Sequence, residues 1–429
     1  MSRLRNGRRF SRSQAVAVTC ILLLGAGAAR ADKLRVENVT VAHRDARTAT
    51  VGFDISWANS WRHEPNHDAA WVFFKVRAEG QKAWQHARLA ADKVLNPRGY
   101  GQEKGSTRLD FIVPDGKDGF TGMFVRRAEY GVGKAAATKV TAIWDLAASK
   151  GITKDTKVSV RAFGIEMVFV PEGAFYLGSG GTEPYRFYRY TDGTQHTLPY
   201  RVTSAGAIPT GRQKDKLWAR RGAQPEDKGE IPAAFPNGYA AFYCMKFHVR
   251  VDQYTSFLNA LTPAQVAGHY PALAVINKHG GLSWADGAAF AAWASLRPMT
   301  ELEYEKVTRG PMEPGWDTGD KLDHPSYWEV QAINGWRLPV ERAVTVGNAT
   351  GRRFQGTHGR GTPTLPADWP QEDAVGAGLR GGPGPSGRPS HRLEAATVAP
   401  DRWRQYRERG MSFYLAWRGV RTAPKGIGP

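Results

Sequence analysis

Residues 296–310 read LRPMTELEYEKVTRG, and the reading of this run decides how the second half of the chain folds. Thr300 stands three residues before Glu303. At that spacing a Thr hydroxyl accepts from the third backbone N–H of a helix while the carboxylate reaches back to the cap residue. A helix is therefore predicted to start at Thr300. Glu303 with Lys306, and Glu305 with Arg309, are acid-before-base pairs at helical spacing, leaving Leu302, Tyr304 and Val307 for packing. On these grounds alone the segment is a well-capped surface helix.

The same logic recurs just upstream. Ser283 caps a predicted helix with Asp286 at its third position, and Trp284, Phe290 and Trp293 lie on it. Nearer the N-terminus the period changes from helical to two. Val51, Phe53, Ile55 and Trp57 point one way while Gly52, Asp54 and Ser56 point the other. Residues 71–76, 109–113, 123–126, 140–144 and 158–162 repeat this between Gly, Asp and Pro turns, as in an antiparallel sandwich. An immunoglobulin-like or fibronectin-like module is expected over residues 32–164, serving either as an adhesive spacer or as a packing partner for the second half of the chain. The texture changes at Glu166, so a second domain is expected over residues 165–424. Within it, residues 178–238 and 346–390 are crowded with Gly, Pro and Arg, and loops of that length inside a compact domain are usually functional or disordered.

The first 31 residues read as a secretory signal peptide: a basic start with Arg3, Arg5, Arg8, Arg9 and Arg12, an apolar core over residues 15–24, and Ala29-Arg30-Ala31 before Asp32. The apolar run is shorter than the ~20 residues needed to span a bilayer. An exported protein, periplasmic or extracellular, with no transmembrane segment after cleavage is the expectation. Removing the 6 arginines of the leader leaves 53 of the 59 basic residues against 40 acids, a formal charge of +13. These charges are scattered rather than collected in a tract, which argues against nucleic acid and for a solubilising surface; the expected partner is a protein or glycan at the cell envelope. Cys20 lies in the leader, so Cys244 is the single thiol of the mature chain and no internal disulfide can form.

The order Leu-Arg-Pro-x-Thr-Glu-x-Glu-x-Glu-Lys followed by Arg-Gly resembles the Arg-Leu-Pro-Thr-Glu-x-Glu-Trp-Glu signature of the formylglycine-generating enzyme, or sulfatase-modifying factor, family. Other motifs resemble that family in the same order. Val170-Pro171-Glu172-Gly173-Ala174-Phe175 with Leu177-Gly178 is similar to its opening turn, and residues 242–258 to its next strand and first helix. Ser283-Trp284 with Asp286 precedes the signature helix, with Gly287 where the family has alanine. Leu379-Arg380-Gly381-Gly382 and Gly419-Val420-Arg421 resemble its closing motifs. The chain departs at His248-Val249-Arg250, where the family has Glu-Val-Thr, and at Pro383 and Gly384, where it has Ser-Trp. The resemblance covers residues 166–423. It implies an α+β chain in which the β-sandwich is followed by a sulfatase-modifying-factor-like, C-type lectin-like domain.

The family's oxidases, by the same resemblance, bind copper(I) through two cysteines between the Arg-Gly-Gly and closing motifs. This chain has no cysteine there, and nitrogen or oxygen donors would not reproduce a soft copper(I) site. The iron-dependent sulfoxide synthases of the family take their histidines from a helical bundle, which the N-terminal strands here do not provide. His63-Glu64-Pro65-Asn66-His67 has the letters of a zinc-protease motif, but Pro65 and the flanking strands make it a turn. The remaining histidines, His196, His248, His269, His279, His324, His358 and His391, have no metal-ligand spacing. Gly381, Gly382 and Gly384 lack the Lys-Ser or Lys-Thr of a phosphate loop. No catalytic residue, metal or cofactor is assigned on this reading. Trp403, Tyr406 and Arg407 interleave aromatics with cations among Arg402, Arg404 and Arg409, and are the candidate ligand surface, for sugars or anionic groups; the same residues also read as a partly exposed charged helix. The expected function is a non-catalytic binding or assembly scaffold, with a metal-dependent oxidoreductase and a carbohydrate-binding envelope protein as the alternatives.

Overall fold

The computed structural model describes residues 34–95, 107–114, 119–178, 180, 186–191, 197–219, 229–269, 282–314, 326–331, 333, 340–380, 392–393 and 415–429. Nine strands come first: β1 (Arg35–His43), β2 (Thr48–Arg62), β3 (Asp68–Ala78), β4 (Gln85–Ala87), β5 (Leu89–Leu95), β6 (Leu109–Ile112), β7 (Met123–Arg127), β8 (Gly131–Asp145) and β9 (Val158–Val170). One sheet runs β1-β2-β8-β5. It packs on β9, β3, β7 and β6 through a core holding Val51, Phe53, Ile55 and Trp57 from β2 with Val72, Phe74 and Val76 from β3. The alternation predicted in β2 places those four side chains inward.

The later elements are shorter: β10 (Phe175–Leu177), β11 (Phe187–Arg189), β12 (Tyr200–Val202), β13 (Leu217–Ala219), β14 (Phe242–Met245), β15 (Arg297–Pro298), β16 (Val340–Val344), β17 (Ala377–Arg380), β18 (Arg392–Leu393), β19 (Leu415–Ala416) and β20 (Gly419–Thr422). The helices are α1 (Val251–Leu258), α2 (Pro263–Val266), α3 (Trp284–Trp293), α4 (Glu301–Arg309) and α5 (Ala349–Arg352). The chain is β-rich with few helices. Among the described residues no helix is long and apolar enough to cross a membrane.

The two halves share a sheet, in the order β15-β20-β14-β9-β3-β7-β6. Strand β9 pairs with β3 from Val158 to Val168 and with β14 from Met167 to Val170. It therefore runs straight through residues 164 and 165, where the sequence suggested a boundary. Its residues are only partly covered up to Gly164 and fully buried from Ile165 to Val170, so the change of texture there marks a change in burial along one strand. No linker stands at that point. Strand β3 carries the complementary signal: Val72, Phe74 and Val76 face the sandwich core, while Trp71 and Phe73 face a second core built on α3. Burial on both faces makes residues 69–74 an unbroken apolar run, in place of the half-buried alternation expected of residues 71–76.

The outer face of β3 also completes the end of α3. The last carbonyls of a helix lack intrahelical donors. Lys75 Nζ donates to Trp293 O at 2.7 Å and Trp71 Nε1 to Ala294 O at 2.8 Å, while Arg421 donates to Ser295 O. Lys75 Nζ also lies 4.6 Å from the Trp293 ring. Donors are favoured at a helix C-terminus, although burial pulls the Lys75 ammonium well below its usual range.

Candidate functional site

Both predicted caps form. Thr300 Oγ1 accepts from Glu303 N at 3.1 Å and Glu303 Oε2 accepts from Thr300 N at 3.0 Å; Ser283 Oγ accepts from Asp286 N at 3.0 Å. The expectation of a surface helix at Thr300 is overturned, because every residue from Glu301 to Thr308 is buried. Glu303 does not pair with Lys306. It grips Arg297 bidentately, at 2.6 and 2.9 Å. Glu305 keeps its predicted partner Arg309, at 2.5 Å, and also accepts from Arg380 and from Gly178 N. Burial pushes the Glu305 carboxyl up, but Arg309 and Arg380 outweigh it and hold it below its usual range. Glu301 accepts from Val346 N at 2.7 Å.

Lys306 points the other way, donating to Pro171 O, Gly238 O and Tyr239 O at 2.6, 2.7 and 3.1 Å. Three carbonyls match three ammonium hydrogens, although burial pulls its pKa down to about 7. Beside this helix Arg418 donates to Glu341 at 2.7 Å and to the carbonyls of Met245, Lys246 and Gln331. The charged residues of the signature thus meet internal partners from distant segments: the opening turn at Pro171 and Gly178, and the closing motif at Arg380. Arg297 itself sits on β15, paired to the last motif through β20.

The other candidates are dispersed. Cys244 is fully buried in β14, and burial pushes its thiol up to about 12, so it is not a thiolate at neutral pH. His63 is exposed in a turn closed by its own N–H to Asn66 O, whereas His67 is buried on Tyr243 Oη at 3.0 Å; the two histidines share no helical face. His269 Nδ1 lies 2.9 Å from Asp286, and His358 Nε2 accepts from Thr422 N. Burial pulls His248 down to about 4. Among the described residues no group of three His, Cys, Asp or Glu side chains could hold a metal ion. Trp403, Tyr406 and Arg407 lie outside the described residues, as do His196, His279, His324 and His391.

The site that sequence reasoning missed lies where β9 leaves the sandwich. Below Met167 its edge away from β3 has no strand partner among the described residues, and there a cavity of about 160 Å³ opens between β9, β1, α1 and α3. Its aromatic wall is Phe73, Phe163, Phe290 and Trp293. These rings lock together: Phe73 stacks on Phe163 at 5.3 Å and Trp293 meets both edge-on, at 5.2 and 4.9 Å. Its polar rim comes from α1: Arg250, Asp252, Gln253 and Ser256. Arg250 is the N-cap position of α1, but its side chain makes no cap hydrogen bond there. It reaches instead to Asp252, at 3.0 and 3.1 Å, and toward Glu166 at 3.9 Å. The departure at His248-Val249-Arg250 was the available signal, since it replaces a cap by a rim group. A cavity this size is below the ~300 Å³ of drug-sized sites, so it takes one ring or one side chain. Rigid aromatic faces beside a fixed guanidinium, carboxylate, amide and hydroxyl can bind and orient a small amphipathic group.

No family model, curated protein or solved structure matches the chain.

Proposed function

We propose that the protein is an exported, non-catalytic binding or assembly scaffold. In this reading an immunoglobulin- or fibronectin-like sandwich carries a domain of the formylglycine-generating-enzyme type, and the cavity between β9, α1 and α3 receives the ligand. The observation that carries it is the fate of the signature helix. Glu301, Glu303, Glu305 and Lys306 are all buried and each is engaged by an internal partner, so these groups hold the domain together and are not free to act on a substrate. The convergence of the signature helix with the segments at Pro171, Gly178 and Arg380 supports the family resemblance, because motifs far apart in sequence meet around one helix. The sequence lacks the thiol pair on which the family's copper chemistry depends, and Cys244 is closed off as a substitute.

Metal analysis of the purified mature protein, with an oxygen-consumption assay on a cysteine-containing sulfatase peptide, tests this reading. The expected result is substoichiometric metal and no turnover. Stoichiometric copper or iron together with oxygen uptake would establish the oxidoreductase alternative instead. The carbohydrate-binding alternative has its own support in the cavity, where aromatic faces lie against paired polar groups.

A further inference from the structure

The outer face of β3 and β9 continues past the part that α3 covers. Beyond Phe73 and Phe163, which face each other in the register, the next outward pair is Lys75 and Arg161, followed by Arg77 opposite Ser159. Lys75 is enclosed by the carbonyls of Trp293 and Gly361 and by His86 Nδ1. Arg77 and Arg161 are not enclosed: one is partly exposed and the other exposed. Their guanidiniums lie 4.7 and 4.5 Å from the ring centroid of Trp84, itself partly exposed. Among the described residues no carboxylate lies within ion-pair distance of either.

Arg77 and Arg161 therefore share one patch of sheet without an acid, beside the enclosed Lys75, whose ammonium burial and the field of Arg88 pull well below its usual range. Arg77 and Arg161 are diagonal neighbours across the two strands, close enough for like charges to repel, and a bound anion relieves that repulsion. Stacking on Trp84 restricts both guanidiniums in advance, while their N–H edges stay available for a bidentate carboxylate or sulfate. Arg161 is two residues from Phe163 on the same face, about 7 Å along the strand, and Phe163 lines the cavity. Cationic and aromatic groups thus form one track from the cavity to Trp84. Single-stranded nucleic acid fits this track poorly, because base stacking needs free aromatic faces and the Trp84 ring is already occupied by guanidiniums. Bare polyphosphate would make no use of the aromatic wall.

We infer that Arg77, Trp84 and Arg161 form a binding site for an acidic glycan, taking the carboxylate or sulfate of one sugar unit while the chain continues toward the cavity at Phe163. The inference rests on the scaffold reading and supplies its ligand class.

Calorimetric titration of the full mature protein at about 0.15 M salt tests it with five probes: a heparin-derived oligosaccharide, an oligogalacturonate, a neutral malto-oligosaccharide, inorganic polyphosphate and vesicles of anionic phospholipid. The first two distinguish sulfate from carboxylate. At least one of them is expected to bind while the neutral sugar does not. Arg77→Ala, Arg161→Ala and Trp84→Ala should each weaken that binding about tenfold or more, and Arg161→Lys, which keeps the charge but not the fork, by severalfold. Arg161 is exposed, so its variants keep the fold, and an unchanged melting temperature verifies this. Failure of both acidic sugars to bind overturns the inference, as does binding unmoved in the Arg161→Ala and Trp84→Ala variants. So does polyphosphate or vesicle binding of equal strength that falls equally in those variants, since the patch would then be a general anion surface. None of these results bears on metal content or oxygen uptake, so a failed glycan site and a failed scaffold reading are separable.

Discussion

Glu305 sits fully buried between two arginines and a backbone N–H, and its removal would leave Arg380, itself without solvent access, facing the more distant Glu301 carboxylate at 3.7 Å. Breaking a buried pair in this way costs about 3–5 kcal/mol. Glu305→Ala should therefore lower the guanidinium unfolding midpoint by that equivalent; a loss below about 1 kcal/mol would mean the pair matters little. The pH response also belongs at this scale. Burial, helped by nearby arginines, pulls His67 and His86 well below 6.5 and His248 down to about 4. Because their folded-state values lie below the unfolded ones, the unfolded chain binds more protons as pH falls. The stability they contribute is complete above about 6.5 and is lost as pH falls through their folded-state values, which for His248 is about 4. Asp68 has the opposite sign: burial raises it to about 7, so its contribution is present below 3.8 and lost as pH rises to about 7. With three groups of the first sign against one of the second, stability is expected to fall on acidification from about pH 6 to about pH 5. Unfolding midpoints across that range check the sign, and a midpoint that rises on acidification would contradict it.

The elements show how far local reading reaches. Helix α3 carries Gly287 where the resembling family has alanine, and helix propensity alone would favour alanine by about 1 kcal/mol. A Cβ at Gly287, however, would overlap the indole of Trp417, in a helix whose residues are buried nearly throughout. Gly287→Ala should thus destabilise by about 1–3 kcal/mol through overpacking, measured as a fall in melting temperature; a rise would show that Trp417 moves aside at no cost. The caps at Ser283 and Thr300 were legible because each is a contact between residues three apart. The surroundings of α4 were not. Its acid-base spacing looks the same on a solvated helix as on a buried one, and what decides between them is Arg380, 75 residues away, and Gly178, 127 residues away. The Glu303–Lys306 pairing failed for the same reason: Arg297 and the Pro171 and Gly238 carbonyls offered better partners than the neighbouring turn.

At the scale of the whole molecule the shared sheet matters most. Residues Ala31–Pro429 form one compact unit, and β9 couples the sandwich to β14 and β20. A fragment of residues 32–164 would end in the middle of β9 and expose the outer faces of β3 and β7, with Trp71, Phe73 and Phe124. Such a fragment should be insoluble or molten, with lost near-ultraviolet dichroism. A cooperatively folding fragment would instead establish the sandwich as an independent domain. The same continuity creates the cavity, which needs the open edge of β9, the cap position of α1 and the aromatic end of α3 together. Sequence alone determined where strands alternate and where helices begin, because those properties depend on residues a few positions apart, and its composition limits the thiols to Cys20 and Cys244. Only the tertiary structure decided that the signature helix is buried, that its charges are neutralised internally and that a cavity and a basic aromatic track lie along β9. Burial and charge compensation depend on which distant segments arrive at the same place, and no local pattern records that.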